Sequence, residues 1–391
     1  MILREKVMAF WKLGNFELDR ACRIVILLLL AIAIFSCTEK KGWTLSSEEV
    51  KLKVEVVGED IAIPFGMAFL PDGRMLVTDR PERNMVLLDT HTGLKTIVKG
   101  LPAMDTEASE GILDVFVHPD FVKNNLIFLA YAIHDDQGSS LAIESFKLKE
   151  DSLSHSKRVF VARPYFEKYN YFGSRLLVKD GFLYITTGVS KKYQDSAQRL
   201  TNDQGKIIRV KEDGAIPDDN PFIHIKGALP EIYCLGTRNA QGMTLNPYTR
   251  EIWMNEHGPK GGDEVNIIKS GANYGWPVIS NGLDYDDTPV GTGMAHHEGM
   301  EDPIYQYTPS IAPSGMVFYT GDAFPMWKGN LFIGAMKLKH LNRLVIKDNK
   351  VVHEERLLKE LDYRMRNVIQ GPDGFLYIGV DGGRILRIRP G

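Results

Sequence analysis

The densest group of residues suited to chemistry is the loop Gly258-Pro259-Lys260-Gly261-Gly262-Asp263-Glu264. Calcium takes about six to eight oxygen ligands, and a glycine- and proline-rich loop offers its carbonyls without side-chain obstruction. The same loop equally fits a surface turn whose carboxylates are solvated. Arg364 and Arg366 are alternate residues, and on a strand alternate residues share a face. Two guanidinium forks on one face suit a ligand with several carboxylates, although solvated surface charge is the commoner fate of arginine. Of the ten histidines, His118 falls in a hairpin turn, His257 borders the glycine loop, and His296-His297 form a pair in a loop. Of the three cysteines, Cys22 and Cys37 are N-terminal and Cys234 has no other partner, which excludes a disulfide framework.

Such residues need a scaffold, and the chain announces one by repetition. An apolar strand, a Pro/Asp/Gly turn and a second apolar strand recur from Gly66, Leu113, Arg175, Gly242, Gly315 and Arg366. Period-2 apolar runs around Asp-Gly or Asn-Pro read as hairpins, and most copies add a further short strand. Six copies of three or four strands predict an all-β fold, a six-bladed β-propeller, because a lone blade cannot bury both its faces. The segments 188–204 and 257–307 read as long insertions, where binding sites tend to sit.

Arg4, Lys6, Lys12, Arg20 and Arg23 precede the apolar run Ile24–Phe35, then Ser36-Cys37 and a polar stretch. The run is about 12 residues, which suits a signal-peptide core better than a membrane span. Ile34-Phe35-Ser36-Cys37 resembles a lipobox, in which Cys37 becomes the acylated membrane anchor. An ordinary cleaved signal and an uncleaved anchor remain open, and Met8 is an alternative start. The expected organisation is a signal over 1–37, a tether over 38–57 and the propeller over 58–391, exported to a periplasm or cell surface. The 47 basic and 50 acidic residues leave no global field for nucleic acid.

The strings HPDF (His118–Phe121), FGSRL (Phe172–Leu176), RNAQG (Arg238–Gly242), EHGPKGGDEVN (Glu256–Asn266), NYGWPV (Asn273–Val278) and RMRNVIQGPDG (Arg364–Gly374) occur in a telling order. Over about residues 60 to 390 the chain resembles the PQQ-dependent aldose sugar dehydrogenases and soluble glucose dehydrogenases. That resemblance implies a pyrroloquinoline quinone (PQQ) cofactor chelated to Ca²⁺, a small sugar or alcohol substrate and an external electron acceptor. It implies a clamp on the quinone from Arg238, Asn239, Lys337, Arg364 and Arg366, with Tyr285 closing over it. It further implies Gly258 and Pro259 as carbonyl donors to the cofactor's calcium, and Glu264 with the Tyr274 carbonyl as a second calcium site.

The catalytic centre departs from the family. Relatives read Gly-Gly-His before the FGSR string, with the histidine as general base, where this chain has Tyr169, Asn170 and Tyr171. The family's orienting aspartate is replaced by Val189, and its quinone-contacting glutamine by Ser109-Glu110. A tyrosine with its ordinary pKa near 10 is a poor base at neutral pH beside a histidine near 6.5. Glu110 and the His296-His297 pair are the candidate substitutes. Two readings follow: a sugar dehydrogenase with an altered base, or a non-catalytic propeller that binds a ligand or partner through its mouth.

Overall fold

The computed structural model describes residues 42–104, 111–167 and 171–391. Six antiparallel sheets follow one another along the chain. Blade 1 comprises Pro64–Phe69, Met75–Asp79, Asn84–Leu88 and Lys95–Ile97, and blade 2 Ile112–Val117, Leu126–Asp135, Gly138–Lys149 and Ser152–Val161. Blade 3 is Leu176–Lys179, Phe182–Thr186, Lys206–Lys211 and Ile232–Leu235; blade 4 is Ala240–Leu245, Ile252–Glu256, Asp263–Ile267 and Tyr305–Tyr307. Blade 5 is Pro313–Phe318, Leu331–Ala335, His340–Lys347 and Lys350–Leu357.

Turn chemistry sets the hairpins. Asp180 and Gly181 both have positive φ (52° and 79°), as a two-residue hairpin turn requires, and they bring Lys179 opposite Phe182. The first strand of each blade touches the first strands of both neighbours, so six inner strands close a ring around a central channel.

A polar bond crosses every seam of that ring. Thr78 Oγ1 donates to the Leu113 carbonyl (2.5 Å), and Asp114 accepts from Arg175 Nη1 and the Leu176 amide (3.1 Å each). Thr186 Oγ1 donates to the Ala240 carbonyl (3.2 Å), and Asn255 Nδ2 to that of Ser314 (2.8 Å). Ser314 Oγ donates to Met365 (2.6 Å), and Asn367 Nδ2 to Phe65 (2.8 Å), which returns to blade 1. Burying these backbone carbonyls between blades demands such partners.

Blade 6 corrects the expected tether. Met365–Gln370, Leu376–Val380 and Arg384–Pro390 are joined by Lys51–Glu59, and Gly42–Ser46 adds a fifth strand outside it. Residues 42–57 are therefore part of the propeller rather than a linker. The physical reason is apolar alternation: Leu52 and Val54 are fully buried against the C-terminal strands, with Leu52 opposite Pro390 and Val54 opposite Ile388. The expected signal, Cys37 and its lipobox-like junction lie outside the described residues.

Candidate active site

In an antiparallel hairpin the start of the first strand and the end of the second lie side by side. Arg238 and Asn239 immediately precede the inner strand of blade 4, and His257-Gly258-Pro259 follow its second strand. Arg364 and Arg366 open the inner strand of blade 6, Tyr171 precedes that of blade 3, and Arg80 follows the second strand of blade 1. All therefore gather at one end of the channel, the mouth.

A cavity of about 280 Å³ opens there, lined among others by Arg80, Tyr171, Asn239, His257, Arg364 and Arg366. That lies just below the range of about 300–1,000 Å³ usual for small-molecule pockets. Tyr171 forms part of the wall, 38 % exposed, with the Arg238 guanidinium 5.4 Å from its ring centre. It does not plug the opening. Tyr169, Asn170, Ser109 and Glu110 lie outside the described residues.

The clamp residues are arranged unequally. Arg364 and Arg366 share Asp381: Arg364 Nε donates to Oδ2 (2.9 Å), and Arg366 Nε and Nη2 to Oδ1 and Oδ2 (2.9 and 2.7 Å). Burial would raise the Asp381 pKa, but Arg366 and then Arg364 hold it below the ordinary range. One carboxylate thus orients two guanidinium groups and cancels one of their charges. Arg238 is buried, and its Nη1 donates to the carbonyls of His257 (3.0 Å) and Gly258 (3.2 Å). Lys337 is exposed with no side-chain partner among the described residues, and it does not line the cavity. Tyr285, 59 % exposed, does not line it either.

His257 lies in the cavity wall as a neutral ring. Burial and then Arg238 push its pKa down to about 3, and its Nε2 donates to the Pro313 carbonyl (2.7 Å). The partner is an acceptor only, so the proton sits on Nε2 and Nδ1 carries the lone pair. The Nε2 of His257 is thus committed to the Pro313 carbonyl. His296 pairs with Asp302 (2.8 Å) on an exposed loop and lines no part of the mouth.

Val189 is buried in an apolar cluster with Ala197, Trp276 and Val290.

The donor set suits an anion with several carboxylates, since Arg364 and Arg366 line the cavity and Asn239 adds an amide. For calcium the fit is more constrained. Gly258 is sterically fixed as glycine, because a Cβ there would meet the Gly261 carbonyl oxygen at 2.0 Å. Its own carbonyl already accepts from Arg238, so a cation there must compete with that guanidinium. Asp263 is committed to the loop itself, accepting from the amides of Gly258, Ile311 and Ala312 and from Ser310. Among the described residues no three or more His, Cys, Asp or Glu side chains are grouped to hold a metal, so any cation here depends on carbonyls.

Glu256 and Glu264 face each other across adjacent strands. Burial raises the pKa of both; Asp263 adds to the shift at Glu256, and Glu256 to that at Glu264. Such a pair favours protons or a cation. Tyr274 is buried, its hydroxyl donating to Ile267 and accepting from the Lys269 amide.

Residues 61–387 match the family model for glucose/sorbosone dehydrogenases. The chain belongs to that family. Aldose sugar dehydrogenase YliI of Escherichia coli is 38% identical over 347 residues, which cover 87% of this chain and 93% of that protein. The solved apo-form of the soluble E. coli aldose sugar dehydrogenase superposes with a TM-score of 0.83 at 36% identity, over 87% of this chain and all of that one. The PQQ-bound aldose sugar dehydrogenase of Streptomyces coelicolor gives 0.70 at 25% identity, over 88% and 99%.

Arg80, Gln241 and Asp381 escaped the sequence reading, although each belongs to the mouth. Asp381 had one visible signal, its position directly after the last Tyr-Ile-Gly-Val strand.

Proposed function

We propose that this chain is a PQQ- and calcium-dependent aldose dehydrogenase that turns over slowly because Tyr171 stands where its relatives carry the general base. The observation carrying this is the open, arginine-lined mouth with Tyr171 in its wall. The PQQ-bound Streptomyces relative supports the cofactor assignment.

In this reading Arg364 and Arg366, held by Asp381, fix carboxylates of the cofactor, and Asn239 donates an amide beside them. Arg238 assists once it leaves the carbonyls of residues 257 and 258, which are then free, with that of Pro259, for calcium. Lys337 and Tyr285 reach in from the rim. PQQ, when bound, supplies a two-electron acceptor for the hydride leaving the anomeric carbon. The anomeric hydroxyl proton must pass to the chain or to water, and Tyr171, in its deprotonated phenolate form, is the group of this chain assigned to receive it, becoming the neutral phenol. Glu264 and the Tyr274 carbonyl hold a second, structural calcium.

Residues 1–37 act as an export signal with Cys37 as lipid anchor, a reading that rests on the basic–apolar–cysteine order of the N-terminus.

Titration of the purified domain with PQQ and CaCl₂, followed by quinone absorbance, tests the assignment. Saturable, calcium-dependent binding that weakens in Arg366→Ala is expected. Absence of binding in both proteins favours the non-catalytic propeller instead.

A further inference from the structure

The channel holds another cavity at the end opposite the mouth. Each inner strand starts at the mouth, and Phe69, Val117 and Gln370, the last residues of the inner strands of blades 1, 2 and 6, line this cavity. All six inner strands contribute to its wall. Its volume is about 270 Å³, which falls below the range of about 300–1,000 Å³ usual for drug-sized ligands, so an occupant must be small. Phe69, Phe116, Val317 and Ile369 remain partly exposed there. Such surface favours an apolar occupant over water.

Among the described residues, the only charged members of the wall are Asp114 and Arg175, and they pair with each other. Arg175 Nε donates to the Gln241 carbonyl (2.6 Å), and Nη1 to the Phe65 carbonyl (2.9 Å) as well as to Asp114. Phe65 and Gln241 line the mouth, so the ion pair lies at the mouth side of this cavity. Nε, Nη1 and both carboxylate oxygens of Asp114 therefore have partners. Arg175 Nη2 does not: it is buried without a partner among the described residues, on a side chain only 4 % exposed as a residue. A guanidinium nitrogen can only donate, and a buried donor without an acceptor is a costly arrangement.

We infer that this cavity binds a small, neutral, mostly apolar molecule with one carbonyl oxygen, an alkyl or aryl ketone in class, whose oxygen accepts from Arg175 Nη2. The hydrocarbon body matches the wall of Phe69, Phe116, Val317 and Ile369. A carbonyl brings an acceptor and no donor, which matches the one unmet group of the ion pair. Asp114 already offsets the charge of Arg175, so a carboxylate or phosphate would lose its hydration here without a free cation to replace it. An ammonium would meet only hydrogens at Nη2. The site is independent of what the mouth binds.

Acetophenone and isopropylbenzene test the site, because they share a shape and differ in the carbonyl. Ligand-observed NMR titration of the full domain should show millimolar or tighter binding of acetophenone and binding of isopropylbenzene weaker by about tenfold. Thr244→Phe places a ring in the cavity from its wall and should abolish acetophenone binding while the chain still unfolds in one cooperative transition. Arg175→Met, if it folds, should bring acetophenone down to the affinity of isopropylbenzene. Equal binding of the two ligands, or acetophenone binding that survives Thr244→Phe, overturns the assignment. So does failure of acetophenone to bind, which would mean that ordered water alone meets Arg175 Nη2.

Discussion

Asp381 does more for the mouth than its one charge suggests. It holds Arg364 and Arg366 in fixed orientation, so a ligand meets guanidinium groups whose rotamer entropy has already been lost. Asp381→Asn should lower stability by about 1–3 kcal/mol, because the buried Arg366 loses a charged acceptor. It should also weaken PQQ binding although the site becomes more positive. Thermal unfolding and quinone titration of the same variant check both parts, and tighter quinone binding would show that charge outweighs orientation. This arrangement was not legible in the sequence. Arg364 and Arg366 could be read because alternation on a strand is local, whereas the carboxylate they share is 15 residues beyond Arg366 along the chain and becomes a partner only when the hairpin closes. Val189 illustrates the same limit. The valine itself could be read, but its packing against Trp276 could not.

Among the elements, the strand Phe182–Thr186 and the loop after it set where Tyr171 lies. A Cβ on Gly188 would sit 2.2 Å from the Tyr171 carbonyl oxygen and 3.0 Å from Asn239 Oδ1. Gly188→Ala should therefore displace both mouth residues, costing about 1–3 kcal/mol of stability and weakening PQQ binding; unchanged melting and binding would contradict the close approach. The adjacent strands Ile252–Glu256 and Asp263–Ile267 carry a second testable feature. Glu256 and Glu264 hold their protons more tightly in the folded than in the unfolded chain. Their contribution to stability is thus fully present below the ordinary carboxylate range and is lost as pH rises through neutrality. In EGTA the melting temperature should fall across that window more steeply in the native protein than in Glu264→Gln. Calcium should flatten the slope of the native protein alone, and equal slopes throughout would remove the second cation site. Hairpins such as Lys179–Phe182 were readable because Asp-Gly dictates the turn locally, while the Glu256–Glu264 pairing depends on register between two strands.

For the molecule as a whole, ring closure couples the two chain ends. The six blades were legible as a repeat, but the closing strand was not, since Leu52 and Val54 find their partners at Pro390 and Ile388. Substituting Val54→Asp should open that seam and abolish a single cooperative unfolding transition by calorimetry; an unchanged transition would mean that Lys51–Glu59 is dispensable. At the cellular level, Cys37→Ala should release the protein from the membrane fraction or leave its precursor unprocessed, and a processed, membrane-bound mutant would refute the anchor. The proposed chemistry is that of a mouth with a cofactor cradle in which Tyr171 stands in for a stronger base. Its most direct test is the rate at which an aldose reduces the bound quinone in a single turnover at neutral pH, in the native protein, Tyr171→Phe and Tyr171→His. Slow reduction is expected in the native protein, slower still in Tyr171→Phe, with a gain of about 10²–10⁴ for Tyr171→His. Fast reduction in the native protein that survives Tyr171→Phe would contradict it.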